Sequence, residues 1–388
     1  MARKIFAYAI LVLLLLIPVI LWLSWEFRTK KPMDILIVDK TVPNKKYQEH
    51  RGIHWILTHL KYVKPGGDLY NEKEDYYGFH PGDGLDYEIR DFEGLSRRGL
   101  DSVAGSYDMA YIADVYGVYY NDWYLKDNLN EFSRLIHGGL DQEEIGILEH
   151  MQADKKLLVA EFNFLGHPTS GKVRKRAQEL FGFHWTGWTA RYFSSLDTTG
   201  NEDLPKWVVR LYTRNYGQPW DFTKSGVVFV HENQRICILE NETHLKKEIP
   251  LIRTPEVYTK EFGIPAEICY AYWFDIIVPN DSINETLSGI HVFPNAEGSK
   301  LLRDHGLSTV YPAAVRNRHD HLTWYFSGDF CDNEISFHFV RFSGISGVHK
   351  LLSKDESNHD REYFFWSYYY PVMKKVLEKY HNRLNQAL

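Results

Sequence analysis

The residues with most chemistry to offer are acids that follow apolar runs. Asp39 closes the run Asp34 to Val38, Asp114 closes Tyr107 to Ala113, Glu161 follows Lys156 to Ala160, and Asp329 follows Thr323 to Gly328. Asp275 lies inside the apolar segment from Cys269 to Val278. If these runs are strands of a parallel sheet, their acids meet beyond the carboxyl ends, where open α/β sheets bind ligands. Carboxyls gathered there can act as acid and base, hold a metal or hydrogen-bond hydroxyl groups. An acid after a strand also simply opens a turn or caps a helix. Glu161 with Asp329 or Asp114 is the pairing a hydrolase would use, and Asp39 is expected in the same cleft.

Histidines and aromatic rings accompany the acids. Glu49, His50 and His54 fall on one expected helix, the two histidines four residues apart and on one face, a spacing that can hold a metal. The glutamate lies outside the pair, so this is not H-E-x-x-H, and no metal is expected. Glu49 and His50 are instead expected near Asp39 as binding residues. The run from Arg316 to His321, with His319 and His321, is a second candidate for such a site, and otherwise a solvated charged loop. Trp185, Trp188, Arg191, Tyr192 and Phe193 crowd ten residues from His184, and a second cluster from Val115 to Trp123 holds Tyr116. A third, Phe364 to Tyr370, opens the last helix. Rings beside carboxylates and amides suit sugar stacking, and they suit ordinary packing equally well. Arg191, if buried, calls for a carboxylate or phosphate. Tyr116, Asn163, Trp188, Arg191 and Tyr192 therefore join Asp39, Glu49 and His50 as expected ligand contacts. An unusual nucleophile such as Thr186 or Ser194 is a third, minor reading.

The elements that must position these groups follow from periodicity. Strands are expected at 34–39, 107–114 and 156–162, and helices over 47–62, from the cap Asp141 to Met151, and over 171–181 with Gly182 as the stop. Strands alternating with helices imply βαβ units and a three-layer, mostly parallel sheet. The second half instead carries consecutive strand candidates at 207–212, 226–230, 235–239, 269–278, 289–293 and 323–327, an antiparallel extension. A helix over 362–384, interrupted by Pro371, closes the chain. Residues 33–388 read as one domain. Asn241 and Asn284 head glycosylation sequons in form.

Residues 5–25 contain no charge over 21 positions, enough to cross a hydrocarbon core. The segment is longer than a signal-peptide core and lacks a good cleavage site, while Trp22 and Trp25 suit an interfacial belt. Residues 1–32 are expected to be a single-pass anchor in the lipid bilayer. Basic residues flank both ends; the short head with Arg3 and Lys4 favours a body outside the cytoplasm. Lys plus Arg number 45 against 51 acids, a net charge of −6 with no basic stripe, so nucleic acid is not an expected partner. Three cysteines exclude a disulfide scaffold and a four-thiolate zinc site and leave room for one disulfide. No P-loop, Rossmann glycine fingerprint or G-x-S-x-G is present, and no cofactor is expected.

Strand, helix, Gly138-Gly139, helix, the strand KLLVAEFN with an elbow after it, and a late strand ending at Asp329 together resemble the class I glutamine amidotransferase-like fold, a flavodoxin-like architecture. The resemblance covers about residues 33–240 and 322–330. That family places a cysteine nucleophile at the elbow within G-x-C-x-G, followed later by a His-x-Glu pair. Glu161-Phe-Asn163-Phe-Leu-Gly166 stands there in this chain, and no cysteine lies within 70 residues. The resemblance therefore implies the fold and its cleft without glutaminase chemistry. TVPNKKYQEH, YIADVYGVY and TGWTARYF also resemble uncharacterised membrane-anchored bacterial proteins. Two functions follow as expectations: an extracytoplasmic protein binding a cell-envelope carbohydrate or assisting envelope assembly, or a polysaccharide hydrolase. The sequence leaves open whether the chain is an enzyme.

Overall fold

Apolar runs that alternate with amphipathic segments place strands in the middle of the molecule and helices against both faces. The computed structural model describes residues 16–126, 133–201, 203–353 and 361–387. In chain order its principal strands are β1 (Ile35–Asp39), β2 (Tyr77–Pro81), β3 (Tyr87–Arg90), β4 (Met109–Asp114), β5 (Leu157–Ala160), β6 (Phe183–Phe193) and β7 (Gly226–His231). They continue with β8 (Ile236–Glu240), β9 (Leu245–Arg253), β10 (Glu267–Cys269), β11 (Phe274–Pro279), β12 (Asn284–Pro294), β13 (Val310–Asn317) and β14 (Thr323–Phe326). The helices used below are α1 (residues 16–26), α2 (Gln48–Leu60), α3 (Arg97–Ser106), α4 (Gln142–Ala153), α5 (Gly171–Phe181), α6 (Lys206–Tyr216), α7 (Ile345–Leu352) and α8 (Tyr370–Ala387).

A ten-stranded sheet runs β10-β9-β12-β13-β14-β5-β4-β1-β2-β3. Pairing is parallel from β14 through β5, β4 and β1 to β2. Every residue of β1, β4, β5 and β14 is buried, as expected of strands covered on both faces. Alternate side chains separate cleanly. Leu36, Val38, Ala110, Ile112, Leu158 and Ala160 pack with α4 and α5, whereas Ile35, Ile37, Met109, Tyr111, Leu157 and Val159 pack with α2 and α8. That division is the three-layer arrangement.

The expected mostly parallel sheet is corrected at its arms. β3, and β9, β10, β12 and β13, join antiparallel, because short connections cannot carry a chain back to start a parallel neighbour. A second, antiparallel sheet runs β8-β7-β6-β11. The strand expected at 207–212 is instead α6: Val208 and Leu211 are its buried residues, at helical spacing, and Gly217 closes it in the left-handed conformation. Within β6 the register shifts between Trp185 and Thr189, and Gly187 there has φ 84° with the His231 ring 2.8 Å from where a Cβ would stand.

Local signals elsewhere hold. Asp141 and Glu144 form a capping box on α4, and Gly182 ends α5 in the left-handed region. The closing helix widens to a π turn over Phe365–Tyr369, just ahead of Pro371, whose missing N–H cannot complete an ordinary helical ladder. The aromatic cluster Phe364 to Tyr370 is core: its rings are buried, and Trp55 meets Trp366 edge to face at 4.7 Å and 77°. No disulfide joins any two of Cys237, Cys269 and Cys331. Asn284 is buried, its amide donating to the carbonyls of Phe181 and Gly182 at 2.8 and 2.9 Å, so the second sequon is closed to a sugar.

Residues 5–15 of the expected membrane span, and most of the polar loop 351–360, lie outside the described residues. Among the described residues no helix is long and apolar enough to cross a membrane. α1 exposes Leu16, Ile17, Val19, Ile20, Trp22 and Leu23, while Trp25 at its base is buried.

Candidate functional site

Parallel pairing of β14, β5, β4 and β1 sends the acids at or after their ends to one edge of the sheet, with Asp39 and Asp114 in register. Asp39 Oδ2 lies 2.5 Å from His50 Nδ1, and His50 Nε2 lies 2.8 Å from the Glu72 carbonyl. A carbonyl only accepts, so Nε2 carries a hydrogen and the Nδ1 contact holds a single proton. Burial raises Asp39 to about 8 and lowers His50 to about 4. The pair is therefore uncharged, the protonated carboxyl donating to the ring. Asp39 Oδ1 accepts the Thr41 amide at 2.9 Å.

The neighbouring acids are occupied by the chain's own donors. Asp114 Oδ1 accepts from the Thr41 hydroxyl at 2.5 Å and the Tyr116 amide at 2.6 Å, and its Oδ2 accepts from Asn163 Nδ2 at 2.9 Å. Glu161 Oε1 accepts from the Tyr111 and Tyr369 hydroxyls, both at 2.5 Å, and Oε2 from the Phe330 and Cys331 amides at 3.2 and 2.9 Å. Asp275 accepts Trp185 Nε1 at 3.1 Å and the Tyr325 hydroxyl at 2.6 Å. Burial raises all three acids to about 7, against the pull of those donors.

Asn163 sits at the elbow after β5 with φ 61°, a left-handed conformation that asparagine tolerates and β-branched residues do not. We expect Asn163→Val to be about 1–3 kcal/mol less stable than Asn163→Gly, the usual strain of a wrong residue in this region. Both variants lose the bond to Asp114, so the difference in denaturation midpoint isolates the backbone. Equal midpoints would refute the strained elbow.

At the rim, oxygens of Glu49, Asp329 and Asp332 lie within 4.8 Å of one another. Arg361 Nη2 stands 3.4 Å from Asp329, while Nη1 pairs with the Asp332 carboxylate and donates to its carbonyl at 2.6 Å. Burial, then repulsion from Asp332, holds the Glu49 and Asp329 carboxyls well above the ordinary range. Three such acids are hard-cation ligands in type. The guanidinium already lies on two of them, making an ion-pair knot and not an open coordination sphere.

The sequence-picked residues divide. Asp39, Glu49, His50, Asp114, Glu161, Asn163 and Asp329 converge on this edge, with Tyr116 joined through its amide. Trp188 and Tyr192 do not. Trp188 is buried against His231 and His305, and Tyr192 is buried with its hydroxyl on Glu248 at 2.5 Å. Arg191 lies over the Phe193 and Trp273 rings at 4.7 and 5.9 Å, and its Nε has no hydrogen-bond partner. The aromatic faces hold the guanidinium here, and the Asp203, Asp329 and Asp332 carboxylates act on it as well. Residues missed from sequence are Thr41, Tyr111, Asp332, Arg361 and Tyr369. Asp332 gave a signal, three positions after Asp329, and Tyr369 lies within the Phe364 to Tyr370 cluster. Lys40 was missed too. It is buried and bonds the Gly139 carbonyl at 2.9 Å and Glu144 at 2.8 Å, tying β1 to the start of α4. The Arg316–His321 run is not simply solvated: Arg316 is buried and paired with Glu261 at 2.8 Å and Glu285 at 2.5 Å.

No known protein family matches the chain, and no curated protein matches it. Among solved structures it is similar to a glutamine amidotransferase from Thermotoga maritima, at 8% identity and TM-score 0.36 over 91% of this chain and 99% of that one. It is also similar to a ThuA-like protein from Bacteroides uniformis, at 11% identity and TM-score 0.35 over 85% and 95%. Likeness at this level is loose, and the strand order itself describes the architecture: a mixed α/β fold on one large sheet.

Proposed function

We propose that this chain is a membrane-anchored, extracytoplasmic binding protein on an amidotransferase-like domain without glutaminase chemistry, with cell-envelope carbohydrate as its ligand class. The observation that carries the binding reading is the elbow. Asn163 stands there at φ 61° with its amide on Asp114, and an amide can hold a carboxylate or a hydroxyl but cannot form an acyl intermediate. Around it Glu49, Tyr116, Asp329 and Arg361 offer carboxylates, a ring and a guanidinium, the groups that meet a hydroxyl-rich ligand. Against the hydrolase pairing of Glu161 with Asp329 or Asp114 stands the satisfaction of Glu161: its oxygens take four donors and the residue is 2% exposed. The anchor reading is supported by the charge-free run at 5–25 and by the exposed apolar side chains of α1.

The test is a thermal-shift screen of the full chain in detergent against envelope glycans. A ligand at about a hundred times its Kd stabilises by about 2.7 kcal/mol, and Asn163→Ala is expected to reduce that shift. A panel that shifts nothing overturns the ligand class. Polysaccharide turnover lost in Glu161→Gln would replace the binding reading by the hydrolase. Full protection of the body from protease added to intact cells would contradict the external placement.

A further inference from the structure

Beside the base of α1 the chain leaves an apolar face uncovered. No residue of α7 is buried, and Val348, Leu351 and Leu352 are 44, 82 and 75% exposed. Phe339 and Phe27 add rings that are 53 and 83% exposed. Apolar surface gathered in this way marks an interaction site. α7 is not a loose end: the His349 ring stacks on buried Trp366 at 4.6 Å and 8°, so its inner side is fixed while the leucines face outward.

The same segment is bonded to α1. The Ser343 amide donates to the Leu21 carbonyl at 3.1 Å, and Arg28 donates to Ser343 Oγ at 3.3 Å and to the His59 carbonyl at 3.0 Å. Trp25 donates its indole N–H to that carbonyl at 3.1 Å, with the Arg341 guanidinium 5.5 Å from its ring centre. Two apolar surfaces therefore emerge side by side, and Arg28, Lys30, Arg341 and Lys350 accompany them against Glu26 alone in the same short segments. His59 lies in the last turn of α2, whereas His50, in its first turns, meets Asp39. The α1 contact and the carboxylate edge thus lie at opposite ends of a helix that rises about 1.5 Å per residue.

We infer that α7 and Phe339 rest on the acidic headgroup layer of the bilayer that α1 enters, a second and interfacial membrane contact. Apolar side chains sink about 5–10 Å into the headgroup boundary in such contacts, with flanking cations on lipid phosphates. Two contacts, unlike one, fix the tilt of the body, and this one turns the strand-end carboxylates away from the lipid, toward ligands of the envelope. The inference rests on the anchor proposed above.

The full chain would be reconstituted in phosphatidylcholine vesicles containing phosphatidylglycerol, with an environment-sensitive fluorophore on Leu351→Cys or, as control, on Leu85→Cys. Leu85 is 52% exposed in the turn after β2, at the carboxylate edge. Expected are flotation with the vesicles, quenching of the Leu351 probe by lipid spin-labelled near the headgroup, and none of the Leu85 probe. Flotation with a Leu351 probe open to aqueous iodide overturns the inference and leaves the anchor standing. A probe shielded from both quenchers overturns it in favour of cover by the chain's own first residues or by a second copy. A chain that does not float brings down the anchor, and the inference with it.

Discussion

Glu161→Leu is expected to destabilise the protein by about 1–3 kcal/mol for each of the two buried amides it leaves without an acceptor, while Glu161→Gln costs about 1 kcal/mol in all. The leucine strands the Phe330 and Cys331 amides, which have no second acceptor among the described residues, whereas the Tyr111 and Tyr369 hydroxyls can still bond each other across 2.6 Å. A glutamine sorts itself: its oxygen faces the two amides and its NH2 faces the two hydroxyl oxygens. Each hydroxyl hydrogen can then turn to its neighbour or to Cys331 Sγ, with which both tyrosines interact. Denaturation midpoints of the two variants read the difference directly. A leucine variant as stable as the glutamine one would show that Glu161 does not hold β5 to the segment after β14.

Stability is expected to fall, not rise, between about pH 6.5 and pH 8, by roughly 2–4 kcal/mol in all. Asp39 is raised to about 8, and Asp114, Glu161 and Asp275 to about 7, in each case chiefly by burial. A carboxyl raised above its unfolded value of about 4 keeps its proton longer when folded. Its contribution is complete below that unfolded value and is lost as pH rises through the folded one. Buried histidines act oppositely. His50, His59, His80 and His137 are lowered to about 4 and His54 to about 3, again by burial. Their contribution is lost as pH falls through the histidine range and is complete above about 6.5. The two sets oppose each other in mildly acidic solution, and above it only the carboxyls still titrate. Thermal midpoints across the window test this, and Glu161→Gln, with no proton to lose, should flatten the slope. A midpoint that climbs with pH would mean these acids are ionised in the folded protein.

What the sequence determined by itself is local. Strand ends at Asp39 and Asp114, the Asp141 cap and the Gly182 stop all follow from the residues within a turn or a strand of each position. The order of strands and helices then sufficed to bring the acids to one edge, because parallel strands share a direction. The tertiary structure decided whatever depends on partners far along the chain. Whether the stretch at 207–212 was helix or strand rested on which faces its apolar residues met, and the antiparallel arms rested on which strands found free edges. Trp188 and Tyr192 sit beside Arg191 in sequence yet pack away from the acids, since alternation along β6 and its bulge set their directions. Arg361 reaches Asp329 and Asp332, and Tyr369 reaches Glu161 across 208 residues from a widened helical turn. Burial charges a high desolvation cost to any unpaired acid, but the donor that relieves it is chosen by packing, which no short stretch of sequence records.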